Sequence, residues 1–132
     1  MAKKGEIRVG IVGFGFMGRM HYGNWKKMKG ARVVALCDKN QEQFTAPTAG
    51  GNILGADTAT DYGDAVIFDD FDTMLAEAKP DVISLTLPTP LHVPLTAKAL
   101  QAGVSVLCEK PMALTAAECD KMLKAASCAA DG

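Results

Sequence analysis

Apolar residues along the chain gather into five short runs, and the stretches between them carry helical spacing. Ile7, Val9, Ile11 and Val12 open the series as a β-branched run suited to a strand buried on both faces. Ala31 to Cys37, Ala65 to Phe68, Asp81 to Leu87 and Val104 to Cys108 supply four more. Helices are expected from Phe16 to Lys29, briefly around Gln41 to Phe44, from Phe71 to Ala78, from near Pro94 to Gly103 and from Ala116 to Ala129. In the first helix Met17, Met20, Trp25 and Met28 are placed on one apolar face toward the core.

Strands alternating with helices predict an α/β fold. The expected architecture is a doubly wound parallel sheet, Rossmann-like, with five strands in the order 3-2-1-4-5. A sixth strand would come next in such a sheet, yet the last helix runs into Asp131-Gly132, so that strand is expected to be missing. Residues 1–132 are therefore read as one domain whose strand five is an edge open to self-association, and a homo-oligomer is expected.

Local signals mark where the elements stop. Gly30 suits the end of the first helix, Pro80 ends the third, and Pro88-Thr89-Pro90 forms a stiff turn after strand four. Asp70 fits the N-cap of the helix that follows it, with Asp69 and Asp72 favoured by the helix dipole, so this acidic cluster is read as capping, not as a metal site. Thr115 and Glu118 have capping-box spacing before the last helix. Between Asn40 and Asp64, with Pro47, Gly50-Gly51 and Gly55, the pattern gives way to a surface loop.

Composition narrows the partners. Hydrophobic residues make up 48% and the formal charge is -1, which gives no electrostatic case for nucleic acid or an anionic membrane. No run approaches the ~20 apolar residues of a membrane span, and no secretory leader is indicated, so a cytoplasmic setting is expected. Cys37, Cys108, Cys119 and Cys128 form no Cys-x-x-Cys pair, and with only His21 and His92 beside them zinc is not expected. All four cysteines are read as reduced, small and mostly buried.

Chemistry enters at Gly13, Gly15 and Gly18, spaced G-x-G-x-x-G where the first strand meets its helix. Gly13 permits the tight turn, Gly15 lets a pyrophosphate approach the backbone, and Gly18 lets helix and strand pack closely. The N–H groups near Phe16 and Met17 then face the anion. A turn that merely joins strand to helix has the same composition, so the context of strand two matters. Asp38 ends that strand, about 20 residues on, where a carboxylate binds the adenosine ribose hydroxyls; a helix N-cap is its other reading. A carboxylate there favours NAD over NADP, and Lys39 beside it weakens that preference.

The segments Gly18-Arg19-Met20-His21, Pro88-Thr89-Pro90-Leu91-His92 and, most specifically, Val106-Leu107-Cys108-Glu109-Lys110-Pro111 resemble the Gfo/Idh/MocA family of oxidoreductases. The resemblance implies a nicotinamide cofactor, hydride transfer to or from a sugar, inositol or related polyol, and a carboxyl-terminal substrate domain absent from this sequence. It implies that Lys110 lies near the nicotinamide ribose and orients the reacting hydroxyl, with Glu109 as its neighbouring acid. Thr89 stands where the family usually has asparagine. Independently, both residues end a parallel strand, where open α/β sheets hold ligands, and a lysine there can hydrogen-bond an alcohol. Pro88, Thr89 and His92 join the expected cofactor side, His92 in a structural or cofactor role, while His21 is read as packing. A dinucleotide-binding sensor without catalysis is the other reading of the same site.

Overall fold

The computed structural model describes residues 4–45 and 61–129. Nine elements follow in chain order: β1 (Ile7–Val12), α1 (Phe16–Lys27), β2 (Ala31–Cys37), β3 (Val66–Phe68), α2 (Phe71–Ala78), β4 (Val82–Leu85), α3 (His92–Gln101), β5 (Ser105–Cys108) and α4 (Ala116–Ala129). Single 3-10 turns at Gln41–Phe44 and Thr89–Leu91 complete them. The strands form one sheet in the expected order β3-β2-β1-β4-β5, and every pair is parallel, as the alternation of elements predicts. Pro47, Gly50-Gly51, Gly55 and Asp131-Gly132 lie outside the described residues.

Period-two alternation sorts the side chains of β1 and β4 onto two faces, and in β2 the alternation is reset at Val34, where the pairing with β1 shifts register between Val9 and Gly10. Val12, Val34, Ile83 and Leu85 pack with Phe71 and Met74 of α2 and Ala99 of α3, whereas Val9, Ile11, Val33 and Leu36 pack with Tyr22 of α1. The doubly wound sheet thus has a core on each side, with α1 closing one and α2 and α3 the other.

The ends of several elements differ from expectation by one or two residues. α1 stops at Lys27, with extended Met28 as its cap and Gly30 at φ +81, and α3 stops at Gln101 before Gly103 at φ +77. β4 is shorter than Asp81 to Leu87 because Thr86 makes one last bond, its N–H donating to Val12 O at 2.8 Å, before the chain turns away. Capping signals were local and hold. The Asp70 carboxylate accepts from Thr73 N–H at 2.8 Å, and Thr115 and Glu118 exchange reciprocal bonds of 3.2 Å at the start of α4.

The face of α1 is a correction. Its buried residues are Gly18, Arg19, Tyr22 and Gly23, not the methionine and tryptophan stripe, and Met28 is 52% exposed. Arg19 is wholly buried, with its guanidinium carbon 4.9 Å from the Phe14 ring centroid and Nη2 donating to Gln43 O and, at 3.3 Å, to the Tyr62 hydroxyl. Phe14, Tyr22, Phe44 and Tyr62 cluster with centroids 5.1 to 6.0 Å apart, Phe14 stacked on Phe44 and the other pairs edge to face. An aromatic lining, the Gln43 carbonyl and the Tyr62 hydroxyl offset the cost of burying the cation. Trp25 reaches the sheet by a different route, its indole N–H donating to Ser84 Oγ at 2.8 Å.

The cysteines are also corrected. All four are free, but only Cys37 is buried; Cys108 and Cys119 are partly covered and Cys128 is exposed.

Candidate functional site

Because every strand runs the same way, the carboxyl ends of β1 to β5 share one edge of the sheet. The chain winds from β1 outward through β2 and β3, then returns to place β4 on the other side of β1. A crevice opens at such a reversal. Here a cavity of about 330 Å³ lies beside it, lined by Val12, Asp38, Lys39, Asp69, Leu87 and Leu91 among others.

The three glycines of the turn differ physically. At Gly13, where φ is +89, an added Cβ would lie 2.8 Å from Thr86 O and from a Leu87 methyl carbon. At Gly18 it would lie 1.9 Å from Gly13 O, so the fold itself forbids a side chain there. Gly15 has an ordinary φ of -77 and nothing within 4 Å of the added carbon. The fold therefore does not need glycine at 15; the open space beside it does.

That space meets the start of α1. The first helical bond runs from Arg19 N–H to Gly15 O at 3.0 Å, so the N–H groups of Phe16, Met17 and Gly18 precede the ladder. No side chain caps them and the first turn carries no acid. These donors, at the positive end of the helix dipole, suit an anion.

Asp38 sits across the turn. One carboxylate oxygen accepts from Phe14 N–H at 2.7 Å and the other from Asn40 N–H at 2.8 Å. Asn40, not Asp38, caps the following 3-10 turn, since its side chain accepts from Glu42 N–H at 3.2 Å. Each Asp38 oxygen keeps a lone pair for a hydroxyl donor. Asp70 caps α2 and Asp72 pairs with Lys98 at 2.8 Å, which accounts for two acids of the nearby cluster.

At the other end of the edge, β5 delivers Glu109-Lys110-Pro111. Glu109 N–H donates to Leu85 O at 3.0 Å, the last ladder bond, and the Lys110 side chain beyond it is exposed. His21 corrects the packing assignment: its Nε2 lies 2.8 Å from Glu109 Oε1. That hydrogen bond holds the Glu109 carboxyl below the usual carboxylate range, against partial burial, and the Lys110 N–H and nearby charges assist. His92 is 1% exposed, with Nδ1 2.9 Å from Pro111 O and Nε2 2.8 Å from Leu87 O. Both ring nitrogens thus face backbone carbonyl oxygens, and each such bond needs the proton on that nitrogen. Pro88 and Thr89 lie on the loop between them, Pro88 O accepting from Leu91 N–H at 3.0 Å.

Thr86 was not singled out by its sequence position. Its hydroxyl donates to Gly13 O at 2.6 Å and lies 3.1 Å from Val12 O, tying β4 to the glycine turn. A lone threonine at a strand end gives no pattern from which this could be read; the contact exists only after β4 has been placed beside β1.

Comparison with known proteins matches residues 7–130 to the Gfo/Idh/MocA model, described as an oxidoreductase family with an NAD-binding Rossmann fold. The D-apiose dehydrogenase of Paraburkholderia graminis is 35% identical over 115 residues, 87% of this chain and 28% of that protein. The inositol 2-dehydrogenase 1 of Saccharopolyspora erythraea is 37% identical over 116 residues, 86% of this chain and 31% of its own length. Among solved structures, the WlbA dehydrogenase from Bordetella pertussis in complex with NADH and UDP-GlcNAcA superposes with a TM-score of 0.78 and 32% identity, over 94% of this chain and 35% of that one. The chain spans about a third of the length of these relatives.

Proposed function

The chain belongs to the Gfo/Idh/MocA oxidoreductase family, matching its NAD-binding Rossmann domain, and from that premise we propose that it binds NAD across the β1–α1 turn as the cofactor-holding part of a sugar, inositol or polyol oxidoreductase. The observation that carries this reading is Gly15, a glycine with an ordinary backbone angle and open space where its side chain would be. The N–H groups of Phe16, Met17 and Gly18 would hold the pyrophosphate, and Asp38 the adenosine ribose. Gly13 shapes the turn. Asp38 favours NAD; NADP remains an outcome to measure because Lys39 is exposed beside it.

The nicotinamide, when bound, would supply the group that takes up or gives the hydride. The chain's own contribution is Lys110, whose ammonium at the end of β5 would donate a hydrogen bond to the substrate hydroxyl and stabilise negative charge developing on that oxygen. Glu109 stays ionised beside it, supported by His21, and Pro88, Thr89 and His92 shape the nicotinamide side of the crevice. Since the chain is about a third as long as its relatives, we place the substrate pocket, and the groups that accept the proton, in a second domain outside residues 1–132. Free thiols throughout suit the cytoplasm. The β5 edge, where Leu107 is 49% exposed, suits self-association.

Calorimetry with NAD tests the reading. The unmodified chain should bind, and Gly15→Val should fold normally yet lose affinity beyond detection, because the valine fills only the ligand's space. Equal affinity in the two proteins would overturn the assignment.

A further inference from the structure

The sequence contains two histidines, and both reach the same turn. His21 comes from α1, the helix whose first turn faces the glycine motif, and its Nε2 meets Glu109 Oε1 at 2.8 Å with the two side chains 15% and 21% exposed. His92 comes from the start of α3 and touches Pro111 O at 2.9 Å on one nitrogen and Leu87 O at 2.8 Å on the other. Lys110 lies between the two gripped positions. Past the bond from Glu109 N–H to Leu85 O the sheet no longer holds this backbone, and the Lys110 N–H donates to the Glu109 carboxylate at 3.1 Å. Pro111 has no N–H of its own to contribute.

We infer that His21 and His92 are positioning residues that clamp the Glu109-Lys110-Pro111 turn from α1 and α3 and so fix where the Lys110 ammonium stands over the crevice. This rests on the role of Lys110 proposed above. A lysine has a long, freely rotating stem, so its charged end can be placed only if its backbone is fixed, and an error of about 1 Å in a reacting group costs roughly a hundredfold in rate. The two grips have separate geometry. His21 acts on a side chain through Nε2, which must carry the proton because a carboxylate only accepts. His92 acts on backbone carbonyls, and because a carbonyl only accepts, gripping Pro111 O takes a proton on Nδ1 and gripping Leu87 O, two residues past β4, takes one on Nε2. The first clamp also connects the helix that faces the phosphates to the turn that bears the lysine.

Amide replacements dissect the grips, because an Asn amide nitrogen occupies roughly the place of Nδ1 and a Gln amide nitrogen that of Nε2. His21→Gln keeps a donor for Glu109 and His21→Ala removes it. His92→Asn keeps the bond to Pro111 O, whereas His92→Gln keeps the bond to Leu87 O and frees the turn. Amide hydrogen exchange at Glu109, whose N–H donates to Leu85 O, and at Lys110, whose N–H donates to the Glu109 carboxylate, and the emission of bound NADH, are the readouts on the 132-residue chain. Exchange at both amides should rise about tenfold in His21→Ala and His92→Gln and stay within about threefold of the parent in His21→Gln and His92→Asn. NADH emission should change in the first pair alone. Parent-like exchange in His21→Ala and His92→Gln, or equal loosening in all four variants, would overturn the clamp. The exchange measurement needs no cofactor: failure of the unmodified chain to bind NADH would sink the role of the site while leaving the exchange pattern to judge the clamp.

Discussion

Single residues carry more of the site than their neighbours in sequence suggest. Gly13, Gly15 and Gly18 read alike as a motif, yet an added carbon clashes at 13 and 18 and meets nothing at 15; only contacts made by Thr86 and Leu87 separate them. Asp38 was legible because the second strand ends on it, but its bond to Phe14 N–H was not. Asp38→Ala should lower NAD affinity and narrow the gap between NAD and NADP, measured by titrating both nucleotides; a gap that stays as wide would remove Asp38 from the ribose. Among the thiols, burial and then the charges of Asp38, Asp70 and Asp69 push Cys37 up to about 12 from an ordinary 9.0. A native-state pKa raised in this way favours the folded protein while the thiol is neutral, so stability should fall as pH climbs from about 9 toward 12. Cys37→Ala should flatten that alkaline slope. At pH 8 a thiol reagent should label the exposed Cys128 and leave Cys37 untouched until the chain is unfolded.

Elements were legible where their signals are local. Asp70 before Phe71, and Thr115 three residues before Glu118, announce the starts of α2 and α4, and both caps form as expected. Thr115→Ala should cost about 1 kcal/mol in urea unfolding, and Thr115→Ser should restore most of it. Strand ends were less legible because a strand extends only as far as its partner, and β4 leaves the ladder at Thr86 after its last bond to Val12. The buried face of α1 was least legible, since Arg19 is accommodated by Gln43 and Tyr62, which arrive from elsewhere in the chain. No helical period within Phe16–Lys27 contains that information. β5 closes one side of the sheet and carries exposed Leu107. Leu107→Lys should shift sedimentation toward monomer at high protein concentration, and an unchanged distribution would place any association elsewhere.

For the whole molecule, winding outward from β1 and back again accounts for both the crevice and the two-sided core. The parallel sheet followed from alternation and its strand order from the glycine fingerprint of the first turn, whereas the grouping of His21 with Glu109, 88 residues apart, required the finished fold. Binding should be visible as stability. NAD at a hundredfold excess over its dissociation constant should add about 2.7 kcal/mol and raise the melting temperature, while Gly15→Val should melt at the same temperature with or without it. A melting curve indifferent to NAD would argue against a preformed site. The space beside Gly15 also sets how such a fold can drift. Screening a library for heat resistance alone would allow bulkier residues at 15 and reject them at 13 and 18, so a duplicated copy could abandon its ligand through one substitution and still keep its architecture.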